Sequence, residues 1–172
     1  MAYTYRTKTY IAGDWTGDKD AIDQLYRWKN NQNLILDFID AHELTQSRDS
    51  SLSCTIKASL RTRLDASKTF VLIVGNGTKN LRSGGCQYCG SYNSHTYSCA
   101  RGYSIDYKSY VDYECDKAIR DGLKIVVLYN AASVDKSKCP DIIKNTGRHI
   151  PMKHWDGWGY SYDYQAVKNA LM

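Results

Sequence analysis

Hydrophobic positions along the chain follow two spacings, which predict strands separated by helices. Continuous apolar runs at 70–74 and 125–129 are typical of strands covered on both faces of a sheet. With three shorter runs they predict strands at Tyr10–Ala12, Leu34–Ile39, Phe70–Val74, Ile125–Tyr129 and His149–Met152. Apolar residues three or four apart predict helices that begin near Asp18 (as an N-cap), Ser53, Tyr107 and Ser161. This alternation predicts an α/β fold of the doubly wound, flavodoxin-like kind, a parallel five-stranded sheet with helices on both faces.

The length of the chain, 172 residues, suits a single domain over residues 1–172. Residues 76–106, between the third strand and the next helix, are rich in Gly, Ser, Tyr and Cys. Unstructured loops of about 30 residues are uncommon in compact domains and are usually functional or held together by a cross-link or metal. The sequence therefore predicts a Cys-rich insertion at 76–106.

Composition and charge favour an ordinary globular protein. Hydrophobic residues make up 42% of the chain, and no run approaches the roughly 20 apolar residues that cross a bilayer. The N-terminus has no apolar signal core, so we expect a cytoplasmic protein without a membrane partner. The net charge of +5 is spread rather than clustered, and we expect no nucleic-acid partner.

A carboxylate stands among the apolar residues of the helix predicted over Tyr107–Asp121. The apolar stripe of this helix consists of Tyr107, Tyr110, Val111, Cys115, Ala118 and Ile119. Glu114 lies within that stripe by helical spacing, so its side chain is expected to point towards the sheet. Burial favours the protonated form of a carboxyl group and raises its pKa, as functional sites often do. Two interpretations follow: a functional carboxylate, or an edge residue that reaches solvent or caps a neighbouring backbone.

Six cysteines in a chain expected in the cytoplasm argue against a disulfide scaffold. Three of them and one histidine form the spacing C-x2-C-x5-H-x3-C, with the four candidate ligands Cys86, Cys89, His95 and Cys99. This spacing is close to that of a zinc knuckle and predicts a structural zinc ion, because four protein ligands leave no open coordination position. The alternative is a loop with free thiols or a redox pair. Cys54 and Cys115 are predicted to be core residues.

Several segments together resemble a known family. Tyr113-Glu114-Cys115-Asp116-Lys117-Ala118, followed by the strand 124–128, resembles the aromatic-Glu-x-x-x-Ala segment of TIR domains. The N-terminal half resembles the TIR-like domain of the messenger synthases of bacterial Thoeris anti-phage systems. The matching segments are 9–12, 17–18, 28–29, 37–38, 40–43 and 78–81. The order and placement of these segments carry the resemblance, because no single motif is specific.

The resemblance implies an enzyme that cleaves NAD and forms an ADP-ribose-derived messenger for a separate effector protein. Glu114 is then the catalytic residue, and self-association on activation is expected. Cleavage of the nicotinamide–ribose bond passes through an oxocarbenium-like state, which a nearby carboxylate stabilises. Ligands of doubly wound sheets bind beyond the carboxyl ends of the strands. The candidate substrate-binding residues are Asp14, Trp15, Asp40, His42 and Tyr113.

Other functions remain open at this point. The main alternative is a non-catalytic TIR-like interaction module in which Glu114 is structural. A phospho-acceptor receiver domain is disfavoured, because Val74-Gly75-Asn76 offers no Asp at the end of the third strand. A nuclease is disfavoured because no D/E-x-K arrangement lies on paired strands.

Overall fold

The computed structural model describes residues 6–39 and 52–172. In chain order its helices and strands are β1 (Lys8–Ala12), α1 (Lys19–Asn30), α2 (Ser53–Asp65), β2 (Ser67–Val74), β3 (Tyr92–Asn93), β4 (Ser98–Cys99), α3 (Tyr110–Arg120), β5 (Lys124–Tyr129), β6 (Arg148–Pro151), β7 (Lys153–Trp155), β8 (Tyr160–Tyr162) and α4 (Tyr164–Leu171). Within these described residues, no helix is long and apolar enough to cross a membrane.

A parallel sheet with the strand order β1-β2-β5-β6 forms the centre of the structure. The two central strands pair in register from Phe70 opposite Ile125 to Val74 opposite Tyr129. Both strands are buried almost throughout, which explains their continuous apolar sequences. The predicted α/β class and parallel sheet are confirmed.

Helices cover both faces of this sheet, as predicted. On one face, α2 and α3 pack over a core that includes Tyr10, Phe70 and Leu72. On the other face, α1 and α4 pack over the side chains that alternate with these, such as Val71 and Ile73. Each central strand thus contributes successive side chains to two separate cores.

The strand predicted over Leu34–Ile39 is not formed. Leu36 and Phe38 are buried in the core beneath α1, whereas Ile35 and Ile39 are exposed. The backbone N–H of Thr9 donates to the carbonyl of Ile39 (2.7 Å), so this segment lies beside β1. Its apolar residues pack against α1 without extending the ladder of β1. The parallel sheet therefore has four strands in the described part of the chain, and the count of five is not confirmed.

Two predicted helix starts were too early. Helix α3 begins at Tyr110, because the Ser109 hydroxyl accepts a hydrogen bond from the backbone N–H of Asp112 and caps the helix. Helix α4 begins at Tyr164, where Asp163 caps the backbone N–H of Ala166. The preceding residues 160–162 form β8, which pairs with β7 as a hairpin.

The segment 76–106 contains local structure. Short 3-10 turns lie at Thr78–Asn80 and Cys86–Tyr88, and β3 and β4 form a small antiparallel hairpin. The backbone N–H of Cys86 donates to the carbonyl of Asp106 (2.9 Å), so the residues between them form a closed loop.

Candidate functional site

Glu114 lies on the face of α3 that packs against the sheet, as its helical spacing predicts. The side chain is 6% exposed, and the hydroxyl of Tyr10 in β1 donates a hydrogen bond to its Oε1. Burial raises the pKa of Glu114 to about 7, although the hydrogen bond from Tyr10 and the positive charge of Arg63 act in the opposite direction. The carboxyl group therefore changes protonation state near neutral pH.

Three elements surround the side chain of Glu114, namely β1, β2 and α2. Tyr10 is fully buried and stacks on Phe70, with 5.8 Å between the ring centroids. Arg63, on α2, is 3% exposed and engaged in interactions of its own. This arrangement holds the Glu114 carboxyl in a fixed, low-dielectric environment with one hydroxyl donor and one cation nearby. Such a group can stabilise positive charge when it is ionised and can donate a proton when it is not.

The β1–α1 loop carries two of the predicted substrate-binding residues. The Asp14 carboxylate accepts hydrogen bonds from the backbone N–H groups of Thr16 (3.0 Å) and Gly17 (2.9 Å). Asp14 therefore shapes the loop through an Asx turn. Trp15 is 44% exposed beside it. Two further predicted residues, Asp40 and His42, lie outside the described residues.

A polar cluster at the carboxyl ends of the strands was not predicted from the sequence. Asp18 is 3% exposed, and its carboxylate accepts hydrogen bonds from Asn130 (3.1 Å) and Thr78 (3.4 Å). Burial raises the pKa of Asp18. The side chain makes no capping bond to α1, contrary to the prediction, because it reaches across to the loops after β2 and β5. The sequence offers only a weak indication of this role of Asp18, because an Asp before a helix is usually an N-cap.

Asp20 extends this cluster towards the surface. It accepts hydrogen bonds from Asn130 (2.9 Å) and from the hydroxyl of Tyr162 (2.7 Å). Burial alone would raise the pKa of Asp20, but these two hydrogen bonds, the backbone N–H of Ala21 and the positive charge of Lys153 together lower it. The β7–β8 hairpin is thereby attached to the carboxyl edge of the sheet, where open α/β sheets bind their ligands.

Tyr113 lies on another side of α3. Its ring lines an open groove of about 480 Å3 between α2 and the residues 103–106. The ammonium group of Lys57 lies 5.5 Å from the ring centroid. Burial raises the pKa of the Tyr113 hydroxyl, and the positive charge of Arg61 partly offsets this effect. Glu114 and Tyr113 are neighbours in the sequence, but Glu114 faces the core and Tyr113 faces this groove.

The family relationship rests on the N-terminal half of the chain. Residues 5–83 match the family described as Thoeris protein ThsB, TIR-like domain. The chain is similar to this TIR-like family over those residues, which make up just under half of its length. No curated protein matches the chain.

The matched residues of this TIR-like protein contain the β1–α1 loop and Asp18. Glu114 and Tyr113 lie beyond the match, on α3. The family assignment therefore confirms the predicted resemblance over the first half of the fold. The catalytic role of Glu114 stays a prediction, supported by its geometry in this chain.

The predicted zinc ligands of this TIR-like protein are divided in the structure. Cys86, Cys89 and Cys99 line one small cavity, to which α2 adds Cys54. His95 is exposed in the β3–β4 turn and does not line this cavity. Over residues 6–39 and 52–172, no group of three or more His, Cys, Asp or Glu side chains is arranged to hold a metal ion. The structure does not bring the four predicted ligands together, and the ligand set and zinc binding both stay predictions.

Proposed function

We propose that this TIR-like protein cleaves NAD in anti-phage defence, with Glu114 as the catalytic residue. The observation that carries the proposal is a buried carboxyl group whose pKa is raised to about 7, hydrogen-bonded to Tyr10. Structural carboxylates are usually ionised well below neutral pH, whereas perturbed values cluster at functional sites. The similarity of residues 5–83 to the TIR-like domain of Thoeris protein ThsB supports the same assignment.

The chemistry needs the ionised form of Glu114. The bond between the ribose carbon and the nicotinamide nitrogen breaks, and its electron pair leaves with neutral nicotinamide. The resulting oxocarbenium-like carbon is stabilised by the carboxylate and captured by water, which loses a proton, or by a hydroxyl of the substrate. The products are nicotinamide and an ADP-ribose-derived messenger, which we propose acts on a separate effector protein.

Substrate contact with Glu114 requires a rearrangement, because the side chain is 6% exposed. We assign this rearrangement to self-association on activation, so we expect the resting protein to be inert. Signalling by a cleavage product demands that NAD is spared until activation. A closed carboxyl site fulfils that demand.

The test is to incubate the purified protein with NAD, with and without lysate from phage-infected cells, and to quantify nicotinamide by chromatography. We expect the parent to release nicotinamide when the lysate from infected cells is present, and Glu114→Gln to lose about 10²-fold or more of this activity, the order seen when one electrostatic contact to a transition state is removed. Asp116→Asn, on the same helix but paired with Arg120 at the surface, is the matched control and should retain activity. Full cleavage by a folded Glu114→Gln protein would refute the assignment.

A non-catalytic TIR-like interaction module is the second candidate, and one observation favours it. The Glu114 carboxyl is already hydrogen-bonded by Tyr10 within the core, as a structural residue would be. In that case neither protein releases nicotinamide under any condition, and Glu114→Gln lowers the melting temperature. The two candidates therefore predict opposite results in both measurements.

A further inference from the structure

The groove between α2 and residues 103–106 has the dimensions of a small-molecule site. Its volume of about 480 Å3 lies within the range of roughly 300–1,000 Å3 that ligand pockets occupy. One wall is a stripe of α2 with helical spacing, formed by Cys54, Lys57, Ala58 and Arg61. Tyr103, Ser104 and Asp106 form the opposite wall, and Tyr113 of α3 lies between them.

Lys57 holds the two walls together. Its ammonium group donates to the Asp106 carboxylate (2.9 Å), to the Asp106 carbonyl (3.4 Å) and to the Lys108 carbonyl (2.7 Å). These three acceptors match the three N–H donors of a lysine. The residue is 7% exposed, so Lys57 is structural and its charge is balanced by Asp106. The groove is consequently preformed.

Arg61 supplies the remaining positive charge of the groove. It lies one turn after Lys57 on the same face of α2 and is exposed. No hydrogen bond or ion pair engages Arg61 within the part of the chain that the structure describes. Its planar guanidinium group presents paired donors that match the oxygens of a phosphate.

Aromatic rings stand next to this cation. Tyr103 is 59% exposed on the outer wall, and Tyr113 is half-buried at the base. Stacking of a planar base on an aromatic side chain contributes roughly 1–3 kcal/mol and tolerates different bases. The hydroxyl groups of Thr55 and Ser104 add hydrogen-bonding partners at the rim. Cation, rings and hydroxyls together suit a ligand that carries both a base and a phosphate.

We propose that this groove binds a nucleoside phosphate, with its base against Tyr103 and Tyr113 and its phosphate on Arg61. The site is separate from Glu114, because successive residues of a helix point about 100° apart and Glu114 faces the sheet. The proposal goes beyond NAD cleavage and does not depend on it. A nucleotide held here would contact both α2, which carries Arg63, and α3, which carries Glu114.

The experiment titrates the full-length protein with ADP, adenosine and inorganic phosphate by isothermal calorimetry. ADP should bind, and adenosine and phosphate should each bind at least about tenfold more weakly, because each makes only part of the contacts. Arg61→Gln should weaken ADP about tenfold or more and leave adenosine unchanged. Tyr103→Ala should weaken both ADP and adenosine.

Matched controls come from exposed residues outside the groove. Arg82→Gln and Tyr88→Ala (64% exposed) should bind ADP like the parent. Equal ADP affinities in Arg61→Gln and Arg82→Gln, with unchanged melting temperatures, would overturn the proposal, as would no ADP binding by the parent. Glu114→Gln should bind ADP normally, so a protein that binds ADP without releasing nicotinamide separates failure of the proposed function from failure of this site.

Discussion

A carboxyl group that titrates near pH 7 within a core makes stability depend on pH, and Glu114 is such a group. Its pKa is about 7 in the folded state against 4.5 for an unperturbed carboxyl. Between these values the folded state binds more protons than the unfolded state, so stability falls as pH rises and levels off above about pH 7. The shift corresponds to a cost of about 3 kcal/mol for the ionised form.

Glu114→Gln should remove this cost, because the Tyr10 hydroxyl can donate to an amide oxygen as well as to a carboxylate. We expect the variant to be more stable than the parent at about pH 8, and the difference to shrink towards about pH 5. Urea unfolding of the parent and the variant at the two pH values measures the stability difference and its change with pH. A variant that is less stable than the parent at both values would show that the carboxylate is structural.

The cysteine cavity gives a second prediction at a single position. If the protein binds zinc, the ion should draw together Cys86, Cys89, Cys99 and Cys54, since these four thiols line one cavity, although they are not arranged around a metal ion in the structure, and His95 is exposed. His95→Ala should then retain about one equivalent of zinc, and Cys54→Ser should lose most of it. Metal analysis after purification without chelator decides the matter. Zinc absent from the parent would eliminate the site, and loss in His95→Ala would restore the ligand set read from the sequence.

Residue-scale expectations succeeded where the signal was local. The inward orientation of Glu114 follows from the spacing of residues within one helix. The hydrogen bond between Ser109 and Asp112 changes the residue at which that helix begins but not this orientation. The role of Asp18 could not be predicted in the same way. Its partners Thr78 and Asn130 are 60 and 112 residues away, and only the fold brings them together.

At the scale of elements, the loop after β2 packs closely against Asp18 at the carboxyl edge of the sheet. A Cβ atom added to Gly75 would lie 1.9 Å from the Asp18 carboxylate oxygen and 2.5 Å from its carbon. Gly75→Ala must therefore displace Asp18 and its bonds to the neighbouring loops. We expect the free energy of unfolding to fall by roughly 1–3 kcal/mol, as for overpacking in a core.

Gly90→Ala is the matched control, because no heavy atom lies within 4 Å of the added Cβ. Its effect should stay within roughly 1 kcal/mol. Thermal unfolding of both variants provides the comparison. Equal stability of the two proteins would mean that Asp18 can move without loss and that the cluster does not stabilise the edge.

Helices and strands could be predicted from the sequence where their burial requires a long, regular pattern of apolar residues. Strands β2 and β5 are covered on both faces, so their apolar runs are continuous. The run 34–39 is also mostly apolar but packs against α1, and a short apolar run cannot distinguish the two outcomes. Strands β3 and β4 have two residues each, too few for any period to be detected.

At the scale of the whole molecule, the residues that match the family do not form a core by themselves. The match ends at residue 83, after β1, α1, α2 and β2. Strand β2 pairs with β5 along its other edge, and α2 packs against α3. The second half of the chain therefore completes both the sheet and the two cores.

A fragment of residues 1–83 should consequently fail to fold. It would leave one edge of β2 unpaired and would expose Phe70, Leu72 and Ile73, which are fully buried in the intact chain. Exposed apolar edges of this kind favour association over folding. We expect poorly dispersed amide signals by NMR and no cooperative thermal transition, against dispersed signals and one transition for residues 1–172. A fragment that unfolds cooperatively would contradict this prediction and would show that the matched residues fold as a unit without α3 and Glu114.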